Sequence, residues 1–256
     1  MTATEESERD TALADLLSRI ERSTTDTAPA PEPLTGRLAD LHTWWTAVGS
    51  GSDPTPVLVE SPSASDGDCL NALLLGAAAA DRAVDSGATL AIPRVVQRDA
   101  LTALTVTALL TRREANRVVG QPEGMSDGEW MDRCAAIRDR CAIASPHISN
   151  HLALLDALGA RSIAATAGIL LGAAARGTPC LIVGTDEWAA ALIADRMNHL
   201  ARSWWRPATT SPDPAQMAAA ERIGLDPLLP LELSDQEGLG ADAVVALLLL
   251  TESVGD

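Results

Sequence analysis

A carboxylate followed by two closely spaced glycines stands near the C-terminal end of the chain, in the segment Glu237-Gly238-Leu239-Gly240. Glycine has no Cβ and tolerates positive φ angles, so the backbone at Gly238 and Gly240 can approach a ligand closely. A glutamate beside such a backbone can accept a proton from that ligand, which is the role of a general base. On spacing alone a solvated loop carboxylate is the more common reading, so the hypothesis needs support from the rest of the chain.

Two cysteines and two histidines form a second candidate set, Cys134, Cys141, His147 and His151. His147 and His151 are four residues apart, as zinc ligands on one helix face are. Pro146 would break a helix between the two pairs, and the spacing of the cysteines is better explained by two small apolar side chains on one helical stripe. We therefore predict no metal site, and we expect no cofactor.

Helix-like and strand-like segments alternate through most of the chain. Short apolar, β-branched runs predict strands at 57–59, 89–92 and 180–183. Helical patterns cover 34–48, 69–86, 99–110, 127–144, 148–158, 162–176 and 187–201. This alternation predicts an α/β fold, Rossmann-like and three-layered, with a mostly parallel sheet and additional helices from the N- and C-terminal segments.

The N-terminal segment is set apart from the rest by a proline-rich stretch. Leucines and an isoleucine in 7–22 follow the spacing of an amphipathic helix, which we interpret as a docking or dimer helix. Residues 23–33 contain three prolines and several threonines and are interpreted as a linker. The sequence thus predicts a helix and linker over 1–33 and an α/β domain over 34–256.

Composition excludes several classes of function. The net charge of −16, from 19 basic and 35 acidic side chains, repels nucleic acid phosphates and anionic lipid surfaces. The longest nearly apolar run, 163–175, is too short to span a membrane, which takes about 20 residues. Four scattered cysteines without a secretory signal pattern suit a reducing compartment, so we expect a cytoplasmic protein that binds neither nucleic acid nor membrane.

Several ordered segments carry a resemblance to a known family. The tail from Gly224 to Ala241 is similar to a segment of the form GLxPLLDLxxRLGEGTGA, and Pro33 to Leu38 is similar to PPGSLGRLE. The stretches around Val118 to Asp127 and Gly177 to Gly184 are similar to VVGRGTGIDD and RxPVLLDG. Together they resemble the nicotinate-nucleotide:dimethylbenzimidazole phosphoribosyltransferases of cobalamin assembly, in a divergent member shortened within its N-terminal half.

The resemblance implies a reaction and a set of site residues. It places Glu237 on the family's catalytic base, which takes a proton from a benzimidazole-type base as that base displaces nicotinate from nicotinate mononucleotide. It also implies that Arg133 contacts phosphate, in place of a lysine. The substrate-binding glycines that it implies are Gly124, Gly184, Gly238 and Gly240.

Other segments depart from the family pattern. Residues 93–101, PRVVQRDAL, stand where the family has the glycine-rich turn GEMGIGNTT, so any phosphate there would be held by the side chains of Arg94 or Arg98. Thr209 and Gln216 replace two histidines. Two hypotheses therefore stay open: a phosphoribosyltransferase, or a non-catalytic paralogue that acts as a partner or regulatory subunit. The resemblance further implies a homodimer, or a heterodimer with a related chain.

Overall fold

The computed structural model describes residues 3–21, 36–48, 53–62, 68–232 and 238–255. The predicted linker at 23–33 and the predicted base Glu237 lie outside these residues. None of the helices in the described segments is long and apolar enough to cross a membrane.

Within these ranges the chain forms helices α1 to α10 and strands β1 to β6. The helices are α1 Ala3–Glu21, α2 Gly36–Val48, α3 Cys69–Asp85, α4 Ala100–Thr111, α5 Asp127–Ala144, α6 His151–Leu158, α7 Arg161–Ala175, α8 Thr185–Met197, α9 Pro214–Ile223 and α10 Leu239–Gly255. The strands are β1 Pro56–Glu60, β2 Leu90–Arg94, β3 Cys180–Ile182, β4 Trp205–Pro207, β5 Thr209–Thr210 and β6 Leu229–Glu232.

Four strands form a parallel sheet in the order β1-β2-β3-β4. Val59 pairs with Pro93 between β1 and β2, and Cys180 pairs with Ala91 on one side and Trp205 on the other. Helix α3 connects β1 to β2, α4 to α7 connect β2 to β3, and α8 leads from β3 towards β4. Parallel strands need such crossover helices, and their carboxyl ends consequently meet at one edge of the sheet. The predicted α/β fold is confirmed.

The sequence located most of these elements and misplaced or missed others. The strands expected at 57–59, 89–92 and 180–183 correspond to β1, β2 and β3. The predicted bounds of the helix over 187–201 were wrong at both ends, because α8 begins at Thr185 and ends at Met197. A short 3₁₀ helix follows at His199–Trp204. Strands β4 to β6 have two to four residues each, too short for a recognisable alternation pattern.

Two helices of the core cross at unusually close range. An added Cβ at Gly76 of α3 would lie 1.9 Å from the carbonyl oxygen of Ala165 in α7. In the opposite direction, an added Cβ at Gly168 would lie 1.9 Å from the carbonyl oxygen of Leu73. Small residues therefore let the two backbones touch, as the Gly168-x-x-x-Gly172 pattern predicts.

Two pairs of adjacent tryptophans, Trp44–Trp45 and Trp204–Trp205, belong to the core. Trp45 and Trp205 are 1% and 0% exposed, and the indole nitrogen of Trp205 donates a hydrogen bond to the carbonyl of Leu170, 3.3 Å away. Helix α1 packs against α3 and α7, with Leu16 and Ile20 buried in the same core. Helix α1 therefore packs on the core of its own chain.

Candidate active site

A cavity of about 320 Å³ opens at the carboxyl edge of the parallel sheet. This edge is the usual ligand site of open α/β folds. Its walls come from β1, β2, β3, the turns after β2 and β3, α8, the segment from β5 to α9, and the start of α10. The lining residues are Leu58, Ile92, Pro93, Arg94, Arg98, Ala100, Ile182, Val183, Gly184, Thr185, Asp186, Glu187, Thr209, Ser211, Gln216, Gly238 and Gly240.

Glu187 is the buried carboxylate of this cavity. It lies in the first turn of α8, shortly after the end of β3, and the residue is only 1% exposed. Its Oε1 accepts a hydrogen bond of 2.8 Å from the backbone N–H of Val95 and lies 3.6 Å from the guanidinium of Arg98. Its Oε2 is buried and has no hydrogen-bond partner in the described part of the chain. A buried acceptor of this kind is costly unless a ligand completes it.

Burial also controls the protonation of this carboxylate. Removal from water raises the pKa of Glu187 to about 7, although the Val95 N–H and the charge of Arg98 oppose the rise. The neighbouring Asp186 is 5% exposed, and burial raises its pKa as well, with Arg98 again acting in the opposite direction. The cavity thus holds two carboxyl groups that ionise at a higher pH than exposed carboxyl groups do.

Gly184 lies beside the unpartnered oxygen of Glu187. Its φ of +103° and ψ of 156° lie in a region that is essentially restricted to glycine. A Cβ added at Gly184 would lie 2.4 Å from Oε2 of Glu187 and 3.7 Å from a terminal nitrogen of Arg98. The bare backbone of this turn is therefore what leaves room for the carboxylate.

The turn after β2 uses its backbone N–H groups internally. The N–H of Val95 donates to Glu187, as described, and the N–H of Val96 donates to Oγ of Ser61 at 3.1 Å. Pro93 has no N–H at all. The backbone of this turn therefore offers no cradle at these three positions for a phosphate, whereas the side chains of Arg94 and Arg98 line the cavity.

A hydrogen-bonded group joins α8 to α9 at the rim of the cavity. The hydroxyl of Thr185 donates to Oδ2 of Asp213 at 2.6 Å and accepts from the amide of Gln216 at 3.2 Å. Asp213 also caps α9 by accepting from the N–H of Ala215. This group fixes Gln216 and the start of α8 relative to each other.

Three of the predicted site glycines meet at the cavity. Gly184, Gly238 and Gly240 all line it, and the Cβ that Gly240 lacks would lie 2.9 Å from the hydroxyl of Thr209. Gly124 and Arg133 do not line this cavity; Gly124 lies in an exposed turn and Arg133 on the exposed face of α5. Since Gly238 follows Glu237 directly, the described chain comes within one peptide bond of the predicted base.

Sequence reasoning missed Glu187 and Asp186. Glu187 is only the first residue of the helix predicted over 187–201, and acids are common at such a position because they interact favourably with the helix dipole. A signal is nevertheless present, because Asp186 and Glu187 lie two and three residues after Gly184 and shortly after a buried strand, at the edge where α/β folds bind ligands.

The cysteine and histidine set does not assemble. Cys134 and Cys141 lie in α5 and pack against a small apolar cluster that includes Val118 and Ile137, while His151 begins α6. Across the described ranges, no group of three or more His, Cys, Asp or Glu side chains is arranged to hold a metal ion.

The sheet edge thus carries a cavity bounded by a glycine turn, two arginines and a C-terminal Gly-x-Gly segment, at the usual ligand site of an open α/β fold. Comparison with protein families assigns the class, since the model of a phosphoribosyltransferase family matches residues 36–254. The chain belongs to this family.

The relatives identify the branch of the family. Nicotinate-nucleotide:dimethylbenzimidazole phosphoribosyltransferase of Mycobacterium tuberculosis is 34% identical over 244 residues, which is 95% of this chain and 64% of the relative. The enzyme of the same name from Streptomyces avermitilis is 38% identical over 168 residues, 65% of this chain and 45% of the relative. The match thus spans 64% of the length of the first relative and 45% of the length of the second.

Solved structures agree with this placement. The crystal structure of CobT from Thermus thermophilus has a TM-score of 0.64 and 30% identity, over 72% of this chain and 56% of that one. A nicotinate-nucleotide-dimethylbenzimidazole phosphoribosyltransferase structure from the same organism has a TM-score of 0.71 at 21% identity and covers 95% of both chains. The latter shows the fold, which the two chains share over nearly their whole lengths.

Proposed function

We propose that this chain is a phosphoribosyltransferase that moves the phosphoribosyl group of nicotinate mononucleotide to a benzimidazole-type base. The observation that supports this most is the convergence of separate segments on one cavity. Those that resemble the family, namely the end of β3 with Gly184 and the segment with Gly238 and Gly240, line the same space as the substituted positions Thr209 and Gln216.

The proposed chemistry is a displacement at the anomeric carbon. One ring nitrogen of the base attacks C1′, the bond from C1′ to the nicotinate nitrogen breaks with its electron pair, and nicotinate leaves. Glu237 is the proposed acceptor of the proton from the other ring nitrogen. Arg94 and Arg98 are proposed to hold the phosphate, because their cationic side chains line a cavity whose nearby backbone N–H groups are engaged elsewhere.

The test is to incubate the protein with nicotinate mononucleotide and 5,6-dimethylbenzimidazole and to follow nicotinate by chromatography. Glu237→Gln is expected to reduce release at least a hundredfold, since loss of a general base typically costs about 10² to 10⁴. Glu221→Gln is the matched control, because Glu221 lies on α9 with its side chain 75% exposed and paired with Arg113. Release equal to that of the Glu237→Gln variant would contradict the proposed reaction.

A second candidate, a non-catalytic paralogue, is favoured by one observation. The N–H groups of Val95 and Val96, in the turn that replaces the family's glycine-rich segment, are used by Glu187 and Ser61. A partner or regulatory subunit needs no phosphate cradle. This candidate predicts no heat of binding when nicotinate mononucleotide is titrated into the protein, and it predicts a stable complex, as homodimer or with a related chain, in analytical ultracentrifugation. Measurable binding of the nucleotide would favour the transferase.

A further inference from the structure

We infer that Glu187 selects the acceptor base, and that this base carries a hydrogen-bond donor on its ring substituent, such as a hydroxyl or amino group, in addition to its reacting ring nitrogens. This inference rests on the proposed function and names the substrate class of the same cavity. The site so assigned comprises Oε2 of Glu187 and the bare backbone of Gly184.

The argument begins with the unequal surroundings of the two carboxylate oxygens. Oε1 accepts from the Val95 N–H at 2.8 Å and lies 3.6 Å from Arg98, so the side chain is anchored at one oxygen. Oε2 is also buried and lacks a partner among the described residues. The anchor therefore holds an unpartnered acceptor in a fixed place, and that place is on the wall of the cavity.

The second step concerns what can reach that acceptor. Gly184 lines the cavity, and the space where its Cβ would stand is 2.4 Å from Oε2. A ligand group that packs against the backbone of Gly184 therefore lies next to Oε2, the acceptor that no described residue satisfies. An ionised carboxylate can only accept, so the complementary ligand atom must be an N–H or O–H.

The third step is discrimination. A methyl group placed against Oε2 would leave the carboxylate buried and unsatisfied, whereas a hydroxyl or amino group would complete it. Sites built to bond a ligand O–H or N–H reject the analogue without it far more strongly than apolar pockets reject a missing methylene. A donor-bearing base should therefore be preferred over 5,6-dimethylbenzimidazole, whose six-membered ring has only methyl substituents.

The preference for an acceptor base that carries a hydrogen-bond donor should depend on pH. Protonated Glu187 could donate as well as accept, so discrimination against donor-free substituents is expected to grow as Glu187 ionises. The charged groups that act on it are Arg98 from the turn after β2 and Asp186 from its own helix. Arg94 of β2 lines the same cavity. Between pH 6 and 8 the preference for a donor should therefore increase.

The experiment compares 5-hydroxybenzimidazole with 5-methoxybenzimidazole, which keeps the oxygen and removes the donor. For the wild-type chain, kcat/KM from nicotinate release is expected to be at least tenfold higher with the hydroxyl compound at pH 8. Glu187→Leu, which removes the acceptor, is expected to abolish this preference, and Glu187→Gln, which can both accept and donate, to reduce it. Glu221→Gln should keep the wild-type ratio. Equal values for the two bases in the wild type, or an unchanged ratio in Glu187→Leu, would overturn the inference.

Direct binding separates this inference from the proposed reaction. If no variant releases nicotinate, the proposed transfer fails, and the two benzimidazoles are then titrated calorimetrically into the wild type and Glu187→Gln. A Kd at least tenfold lower for the hydroxyl compound, with a smaller ratio in the variant, would still support the role of Glu187. Equal Kd values, or no binding of either compound, would overturn it. Should Glu187→Leu not fold, Glu187→Gln decides both experiments.

Discussion

Oε2 of Glu187 occupies the space in which a side chain at position 184 would begin, since a Cβ added to Gly184 would lie 2.4 Å from that oxygen. A glycine turn and a buried acid three residues later are thus parts of one arrangement. Any side chain at position 184 would displace the carboxylate of Glu187.

Gly184→Ala should therefore destabilise the protein and block the cavity. A backbone conformation that is essentially restricted to glycine costs about 1–3 kcal/mol in any other residue, and displacement of Glu187 adds to this. Urea unfolding measures the effect. Gly159→Ala is the control, because Gly159 has a φ of +64° but nothing within 4 Å of an added Cβ. Equal losses in the two variants would show that the contact with Glu187 contributes nothing.

Gly168→Ala should be the more damaging change. Its Cβ would lie 1.9 Å from the carbonyl oxygen of Leu73, so α3 and α7 would have to separate, at a cost of about 3 kcal/mol. Gly128→Ala serves as the contrast: it lies on the exposed side of α5, where an added Cβ meets only the hydroxyl of Ser126 at 4.0 Å. That substitution should stabilise the helix by roughly 0.5–1 kcal/mol. Thermal or urea unfolding of both variants decides the point, and similar effects at the two glycines would contradict it.

Stability should fall with rising pH because of Glu187. Its pKa is raised from the ordinary 4.5 to about 7 by burial, so between these values the folded protein holds a proton that the unfolded chain has lost. The stability that the protonated Glu187 contributes to the folded state is fully present below about pH 4.5 and is lost as pH rises through about 7. The difference amounts to about 3 kcal/mol.

Glu187→Gln cannot ionise, so it should gain stability relative to the wild type by that amount between pH 4 and pH 8. The free energy of unfolding of each protein in urea, measured across this range, gives the comparison. Glu221→Gln controls for the loss of one carboxylate from the chain. A difference between wild type and Glu187→Gln that does not change with pH would refute the prediction.

The four cysteines should divide into two pairs by reactivity. All four are free thiols; Cys69 and Cys180 are buried, whereas Cys134 and Cys141 are partly exposed on α5. Burial raises the pKa of every one of these thiols, most strongly in the first pair. With a thiol reagent at pH 8 the native protein should therefore react slowly at two sites, and at all four after denaturation. In a Cys134→Ser, Cys141→Ser variant the native protein should give no reaction, and labelling of that variant would count against the predicted burial.

The sequence was most informative where pattern and packing coincide. The Gly168-x-x-x-Gly172 pattern predicted close helix packing, because the residue type itself sets how near two backbones can come. The site was predictable only in part. The glycines at 184, 238 and 240 could be placed by resemblance, but the role of Glu187 depends on the Val95 N–H, which is 92 positions away in the chain. No local pattern records such a contact, and two acids at a helix start have an ordinary explanation.

The crossing of α3 and α7 lies apart from the cavity, and its glycines are not among the residues that line it. This helix crossing and the cavity wall are thus built from different residues. Substitutions among the lining residues outside the Gly184 turn therefore leave the close contact of the two backbones intact. Over evolutionary time the ligand specificity of such a site can change while this part of the core stays the same.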